Sequence, residues 1–346
     1  MREFKFSSTV VNDYSPAFVI AEIGGNFVNL EDAKKLIDAA VNSGADAVKL
    51  QTFKADTLAS RKAKYEMENT GNVSQYELFR EYEIGKEMHE EIYDYAKKRG
   101  MQIFSTPSHL DDVKMLEELG TSVYKIGSDD SSNLEFITAV AATQKPIIIA
   151  TGMCTLLEVD DIVNAVMTTG NENFCIMHAI TSYPTKYEIA NLNVIKTLQD
   201  RYPGVLIGYS DHTIGPQCSI AARVMGAMII ERHFTLDKNG DGPDHILSSD
   251  EEEMKFLIDS IRILELAFGN GVKMPVKQEL INRKNNRKSI VIEKPISKGQ
   301  YLTAAHLAVK RPGYGIEPKK LLDLVGKPVS RDLEKDDVLT WDFIGE

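Results

Sequence analysis

The chain has 346 residues, 43% hydrophobic and 26% charged, an ordinary globular composition long enough for one large domain plus a small one or for two medium ones. Its net charge of −11 and pI near 5.3 exclude the basic surface that nonspecific nucleic-acid or anionic-membrane binding needs. The N-terminal MREFKFSSTV lacks the apolar core of a signal peptide, no apolar run is long enough to span a membrane, and Cys154, Cys175 and Cys218, odd in number and without a CxxC, fit a reducing cytoplasm.

Taken in order, AFVIAEI (17–23) is a continuous apolar run, the mark of a strand buried on both faces in a parallel sheet. An amphipathic helix follows and stops at Gly44, and DAVKLQT gives a second strand carrying Lys49 and Gln51. Residues 53–85 are long, polar and weakly periodic, as expected of an active-site loop with room for short helices. The unit then repeats. Helices over 86–99, 109–119, 133–143, 155–169, 191–201 and 214–226 precede the strands MQIFSTP, SVYKIGS, PIIIATG, FCIMHAI, VLIGYSD and MIIERHF. A last helix starts at Ser249 or Asp250 and runs to about Phe268, with Asp250 and Glu251–Glu253 suited to its N-terminus.

Eight strand-then-helix units predict an α/β fold of the closed (β/α)8 TIM-barrel type. An open doubly wound sheet is the alternative; Gly24-Gly25-Asn26 after the first strand is not a dinucleotide fingerprint. The barrel is expected over 1–268 and a polar linker over 269–286, and 287–346, with short β-like runs broken by Pro and Gly, reads as a separate small β-rich domain.

In such a barrel chemistry sits at the C-terminal strand ends. Those ends carry Glu22; Lys49 and Gln51; Ser105 and Thr106; Lys125 and Ser128; Thr151; His178; Ser210, Asp211 and His212; and Glu231 and His233. His212 and His233 end adjacent strands, where two imidazoles can share a borderline divalent ion such as Mn²⁺, Fe²⁺, Zn²⁺ or Co²⁺; structural hydrogen bonding is the alternative for each. Lys49 and Lys125 at buried strand ends need counter-charge from Glu22 or Glu231, or else serve as phosphate or carboxylate ligands with Ser105, Thr106, Ser128 and Ser210 beside them, or as a Schiff-base lysine. His178 and His245 read as structural hydrogen-bonders, and Asp211 as either a helix cap or a support behind the metal. The residues alone point to a divalent metal acting as Lewis acid beside an anion cradle, as carbon–carbon bond formation or cleavage requires.

The motifs AEIG (21–24), KLQT (49–52), STP (105–107), KIGS (125–128), ATGM (150–153), TSYPT (181–185), GYSDHT (208–213), ERHFTLD (231–237), GPDH (242–245) and RPGYGI (311–316) together resemble the sialic acid synthase family, with a C-terminal antifreeze-like (SAF) domain. The resemblance implies condensation of phosphoenolpyruvate with an N-acylated mannosamine-type sugar to a nine-carbon 2-keto acid and phosphate. It implies that His212 and His233 hold the metal, Mn²⁺ first with Mg²⁺ or Co²⁺ as alternatives, and that Lys49, Thr106, Lys125, Ser128, Thr181 and Ser210 hold phosphoenolpyruvate. Glu22 would act at its reacting end, and Gln51, Asp130, Tyr183, Asp244 and Arg311 would contact the sugar. Arg311 would come from the partner in a domain-swapped homodimer. The chain departs from the family pattern at Phe27, where AEIGxNHxG has His, at KIGSDD for KIGSGE, and at HAITSYP for HCTSxYP. GPDH is closer to the N-acetylneuraminate and legionaminate branches than to the pseudaminate branch. A phosphoenolpyruvate-dependent synthase or metal aldolase acting on another aldose, and a non-enzymatic carbohydrate-binding barrel, are the competing readings.

Overall fold

The computed structural model describes residues 2–7, 9–67 and 71–345, which divide into two compact units, Met1–Gly269 and Asn270–Glu346. The first unit opens with an antiparallel hairpin not expected from the sequence, β1 (Glu3–Phe6) and β2 (Thr9–Asn12). Eight parallel strands then close into a barrel: β3 (Phe18–Glu22), β4 (Ala47–Thr52), β7 (Gln102–Pro107), β8 (Tyr124–Ile126), β9 (Ile147–Ala150), β10 (Phe174–Ala179), β11 (Leu206–Asp211) and β12 (Ile229–His233), with β12 pairing back to β3. Two further strands, β5 (Lys64–Met67) and β6 (Gly71–Ser74), form a hairpin in the long connection after β4.

Local chemistry sets the helix ends. Asn29 caps helix Leu30–Ser43 by accepting from Asp32 N, and Gly44 ends it with φ 83°. Thr155 and Glu158 form a capping box at helix Leu156–Thr168. Asp250 caps helix Glu251–Ala267 by accepting from Glu253 N, with Glu251–Glu253 in its first turn.

Alternation along the strands makes two cores. Residues such as Val19, Ala21, Val48, Leu50, Tyr124, Ile126, Ile149 and Ile176 face outward and pack against the helices. Phe18, Ile20, Ala47, Phe104, Val123, Ile148, Cys175, Leu206 and Ile229 face inward and fill the lower barrel. Phe4, Phe6 and Val11 of the hairpin complete this inner cluster; Phe6 stacks on Phe18 at 4.3 Å and meets Phe104 edge-on at 5.1 Å. The hairpin is therefore the barrel's floor. Its two fully buried phenylalanines contribute about 1.5–3 kcal/mol each by burial.

The connection over 53–85 forms helix Ala55–Leu58, the β5–β6 hairpin and helix Gln75–Tyr82; residues 68–70 of it lie outside the described set. In the second unit β13 (Ser289–Ile292) pairs antiparallel with β14 (Leu307–Lys310), and Ile290, Ile292, Ile296, Leu302, Leu324, Leu333 and Leu339 form its own core. Helix Leu280–Asn286 lies in the stretch expected as linker and accepts at Lys284 O from Gly313 N at 2.8 Å. No helix among the described residues is long and apolar enough to cross a membrane.

Candidate active site

Strand parity brings the rim together. Residues that continue the inward series above the apolar layer are Glu22, Lys49, Gln51, Thr106, Lys125, Ser210 and Glu231, and the parallel register sets Glu22 beside both Lys49 and His233, Gln51 beside Thr106, and Ser210 beside Glu231. The rim assembles because six of the eight short strands each present one or two of these side chains at the same height.

Both lysines are paired. Lys49 forms an ion pair with Glu22 and donates to Thr106 Oγ1 at 3.0 Å. Lys125 donates to Glu231 Oε1 at 3.2 Å, and Ser210 Oγ donates to the same oxygen at 3.1 Å. All four charged groups are at most 4% exposed, so each depends on its partner to offset desolvation. The two carboxylates differ. Burial pushes Glu22 up to about 7 against the pull of Lys49. Burial also works against Glu231, but Lys125, Lys49 and His233 together hold it far below the usual carboxylate range. One acid thus titrates near neutrality while its neighbour stays ionised, the arrangement that separates acid and base roles. Glu22 Oε1 accepts from Gly24 N at 2.7 Å and stands 3.5 Å from Gln51 Nε2. A methyl group on Gly24 would fall 2.5 Å from that oxygen and 2.8 Å from Gln51 Cγ, so only glycine fits.

His212 and His233 meet with ring centroids 5.4 Å apart. His212 Nδ1 lies 2.7 Å from Ile180 O, so Nδ1 carries the proton and Nε2 holds a free lone pair. His233 Nδ1 is buried, makes no hydrogen bond, and stands 3.4 Å from Asp244 Oδ2. Burial keeps both rings neutral, and the charge of His212 would depress His233 further. Two adjacent neutral imidazoles, one with its tautomer fixed by a carbonyl and one with an unsatisfied buried nitrogen, fit a borderline divalent ion. No cluster of three or more His, Cys, Asp or Glu disposed around a metal occurs among the described residues, so these two side chains would need substrate or water to complete the coordination. Tyr183 covers the pair, 4.3 Å from the His212 ring and edge-on to His233 at 6.2 Å.

The mouth carries the remaining candidates. Ser128 Oγ accepts from Gly152 N at 3.0 Å, and a methyl group on Gly152 would lie 2.7 Å from Ser128 Oγ and 2.9 Å from Thr181 Cγ2, which places Ser128 and Thr181 side by side. Asp244 is pushed up to about 7, by burial first and by Glu22 second. Asp130 is half-buried and pushed up to about 6, chiefly by burial. Arg311 is exposed on the second unit, before Pro312.

Three candidates for support roles resolve plainly. Asp211 ion-pairs with Arg232 at 3.0 Å and accepts from Thr213 N at 2.9 Å and Ser219 Oγ at 2.6 Å; it braces the turn after β11 on the outer face. His178 lies 2.9 Å from Ala190 O and stacks on Tyr209 at 5.7 Å, outside the rim, and His245 bonds Thr235 Oγ1 at 2.7 Å. Glu231, expected at the rim as a counter-charge, is the partner of Lys125, and its place two before His233 on one strand gives it the same inward face. Tyr65 comes from the β5–β6 hairpin: burial, then Asp244 and Asp129, hold its hydroxyl up at about 12, so this hairpin reaches the mouth. Only the length of the loop signalled it.

Residues 36–273 match the NeuB family, and residues 287–345 match the SAF domain. The chain belongs to the NeuB family. It is 38% identical to the N,N'-diacetyllegionaminic acid synthase of Campylobacter jejuni, over 93% of this chain and 98% of that one, and 39% identical to the enzyme of the same name from Legionella pneumophila, over 94% of each. It is 33% identical to the human N-acetylneuraminate-9-phosphate synthase over 96% of this chain and 94% of the relative. Among solved structures it is similar to the N-acetylneuraminic acid synthetase of Leptospira borgpetersenii, crystallised with citrate, with a TM-score of 0.74, 28% identity, and coverage of 81% of this chain and 95% of that chain. This member of the NeuB family is accordingly an enzyme, a carbon–carbon bond-forming transferase of the nonulosonic acid synthase kind.

Proposed function

We propose that this enzyme condenses phosphoenolpyruvate with an N-acylated mannosamine-type sugar, N-acetylmannosamine or 2,4-diacetamido-2,4,6-trideoxymannose, and water to give a nine-carbon 2-keto acid and phosphate. The observation that carries the reading is the layering of one rim: two buried lysine–carboxylate pairs lie beside two neutral imidazoles. Phosphoenolpyruvate is an anion with two charged ends. Lys49 and Lys125, with Thr106, Ser128, Thr181 and Ser210 as donors, suit its phosphate and carboxylate, and they can exchange partners from Glu22 and Glu231 without leaving a lysine unpaired. His212 and His233 would hold Mn²⁺, with Mg²⁺ or Co²⁺ as substitutes; when bound, such an ion supplies Lewis acidity to the sugar aldehyde.

The chain's own groups then divide the work. C3 of phosphoenolpyruvate attacks the aldehyde carbon, and positive charge develops at C2. Glu22, which titrates near neutrality and lies next to that end, stabilises the charge in its ionised form and orients the water that adds there. Phosphate departs from the resulting tetrahedral carbon while Lys49 and Lys125 hold its oxygens. Gln51, Asp130, Tyr183 and Asp244 line the side from which the sugar enters, and Arg311 would complete it from the partner of a domain-swapped homodimer in the cytoplasm.

The test is product mass after incubation with phosphoenolpyruvate, each sugar and Mn²⁺: the sum of both substrates and water less phosphoric acid. Glu22→Gln should lower kcat by about 10²–10³, the loss usual for a group acting in proton transfer or charge stabilisation, while phosphoenolpyruvate still binds by calorimetry. Turnover like that of the wild type would remove Glu22 from the mechanism.

A further inference from the structure

Behind the two imidazoles lies a pair of charges that the mechanism above does not use. The outward side chains of β11 run Ile207, Tyr209, Asp211, and those of β12 run Ile230 and Arg232, with Phe234 beyond; the apolar ones pack against the helices. Asp211 and Arg232 therefore stand where an apolar layer is expected. They are register partners, both fully buried, and they meet at 3.0 Å on the face of the sheet away from the rim. A buried ion pair of this kind adds little to stability over apolar side chains of the same volume, so packing alone does not account for it.

What the pair does is fasten the backbone that carries His212 and His233. Asp211 accepts from Thr213 N at 2.9 Å, from Thr213 Oγ1 at 2.8 Å and from Ser219 Oγ at 2.6 Å, which fixes the chain on both sides of His212. Arg232 donates through Nη2 to Thr213 O at 2.7 Å and Leu247 O at 3.3 Å, and through Nε to Ser249 Oγ at 2.6 Å. Ser249 N in turn donates to His233 O at 2.8 Å. One guanidinium thus ties the turn after β11 to the segment after β12, and each of these carries one of the two histidines. The planar fork of arginine can make these bonds together, whereas the single ammonium of a lysine could not.

We infer that Asp211 and Arg232 are a positioning pair for the two histidines: by locking Thr213 and Ser249 they set the spacing and tilt of the rings, and with them the affinity for a divalent ion. The rings stand 5.4 Å apart at 58° to each other, an arrangement that depends on two different strand ends keeping one register. This rests on the metal reading of His212 and His233.

The experiment measures Mn²⁺ binding without substrates, by the paramagnetic resonance of the free ion, to wild type, to Arg232→Lys and to the double variant Asp211→Asn, Arg232→Met. Arg232→Lys keeps the charge and loses the fork; the double variant removes both charges, so neither leaves a lone buried ion to unfold the barrel. The Kd for Mn²⁺ should rise about tenfold in the double variant and about threefold in Arg232→Lys, as for lost support behind a metal ligand. The Kd for phosphoenolpyruvate, held by Lys49, Thr106 and Lys125 from other strands, should change less than about twofold in both. Wild-type Mn²⁺ affinity in both variants, or a phosphoenolpyruvate affinity that falls in step, overturns the role. If the wild type itself binds no Mn²⁺, the metal reading fails separately and the rings decide the positioning. Two-bond ¹H–¹⁵N spectra of the metal-free proteins, with His212 assigned through His212→Gln, should then show the His212 proton on Nδ1 in the wild type and a mixture of tautomers in the double variant. The same tautomer in both refutes it.

Discussion

At the scale of single residues the site is a set of buried charges that hold one another in place. Lys125 is the informative one, because among the described residues Lys125 and Ser210 are the direct hydrogen-bond partners of Glu231. Lys125→Met removes the ion-pair partner of a buried carboxylate and should destabilise the fold by about 3–5 kcal/mol. Adding Glu231→Gln should recover most of that stability in thermal unfolding and none of the activity. Equal melting temperatures for the single and double variants would mean that the pair carries no mutual stabilisation. Much of this scale was legible beforehand: Glu22, Lys49, Lys125, His212 and His233 each end an apolar run, and a polar residue ending such a run must face either solvent or a site. Tyr65 was not legible: its place depends on a hairpin folding back over the mouth, a tertiary fact without a local pattern.

Among elements the barrel strands and their helices read well, because strands buried on both faces are continuous apolar runs and the helices carry caps such as Asn29, Thr155 and Asp250. The β1–β2 hairpin did not, since EFKF and TVVN are too short for periodicity to register, and their meaning lies in the barrel floor they cover. Its ends are clasped by Arg2, whose Nε donates to Asp13 Oδ1 at 2.8 Å and whose backbone N donates to Oδ2 at 2.9 Å. Partial burial works against Asp13, yet the bonds and charge of Arg2 hold its carboxyl below the ordinary 3.8. The folded form therefore binds the proton less tightly than the unfolded one. The clasp is fully present above pH about 4 and is lost as pH falls through the lowered value. Hydrogen exchange of the β1–β2 amides should accelerate, relative to the barrel strands, as pH drops below about 4. Asp13→Asn should show that looser hairpin at neutral pH with no further acid dependence; a hairpin equally protected in both proteins at both pH values would contradict the clasp.

For the whole molecule the division into a barrel and a β-rich unit was visible in composition, in the shift from strand-and-helix repeats to short runs broken by Pro and Gly. The helix Leu280–Asn286 inside the polar stretch was not, because LINRKNN has no apolar periodicity. If Arg311 serves a partner's barrel, Glu22→Gln and Arg311→Ala proteins, each inactive alone, should regain activity when their subunits exchange, since one hybrid site then holds both intact residues. No recovery after demonstrated exchange would confine Arg311 to its own chain or remove it from the site. The proposed condensation requires coupled use of two substrates at the one layered rim. Phosphate release from phosphoenolpyruvate, followed with Mn²⁺ present and with or without N-acetylmannosamine or 2,4-diacetamido-2,4,6-trideoxymannose, tests that most directly. The expected result is release only when a sugar is added, one phosphate for each 2-keto acid formed; release without sugar, or none with any amino sugar, would contradict it.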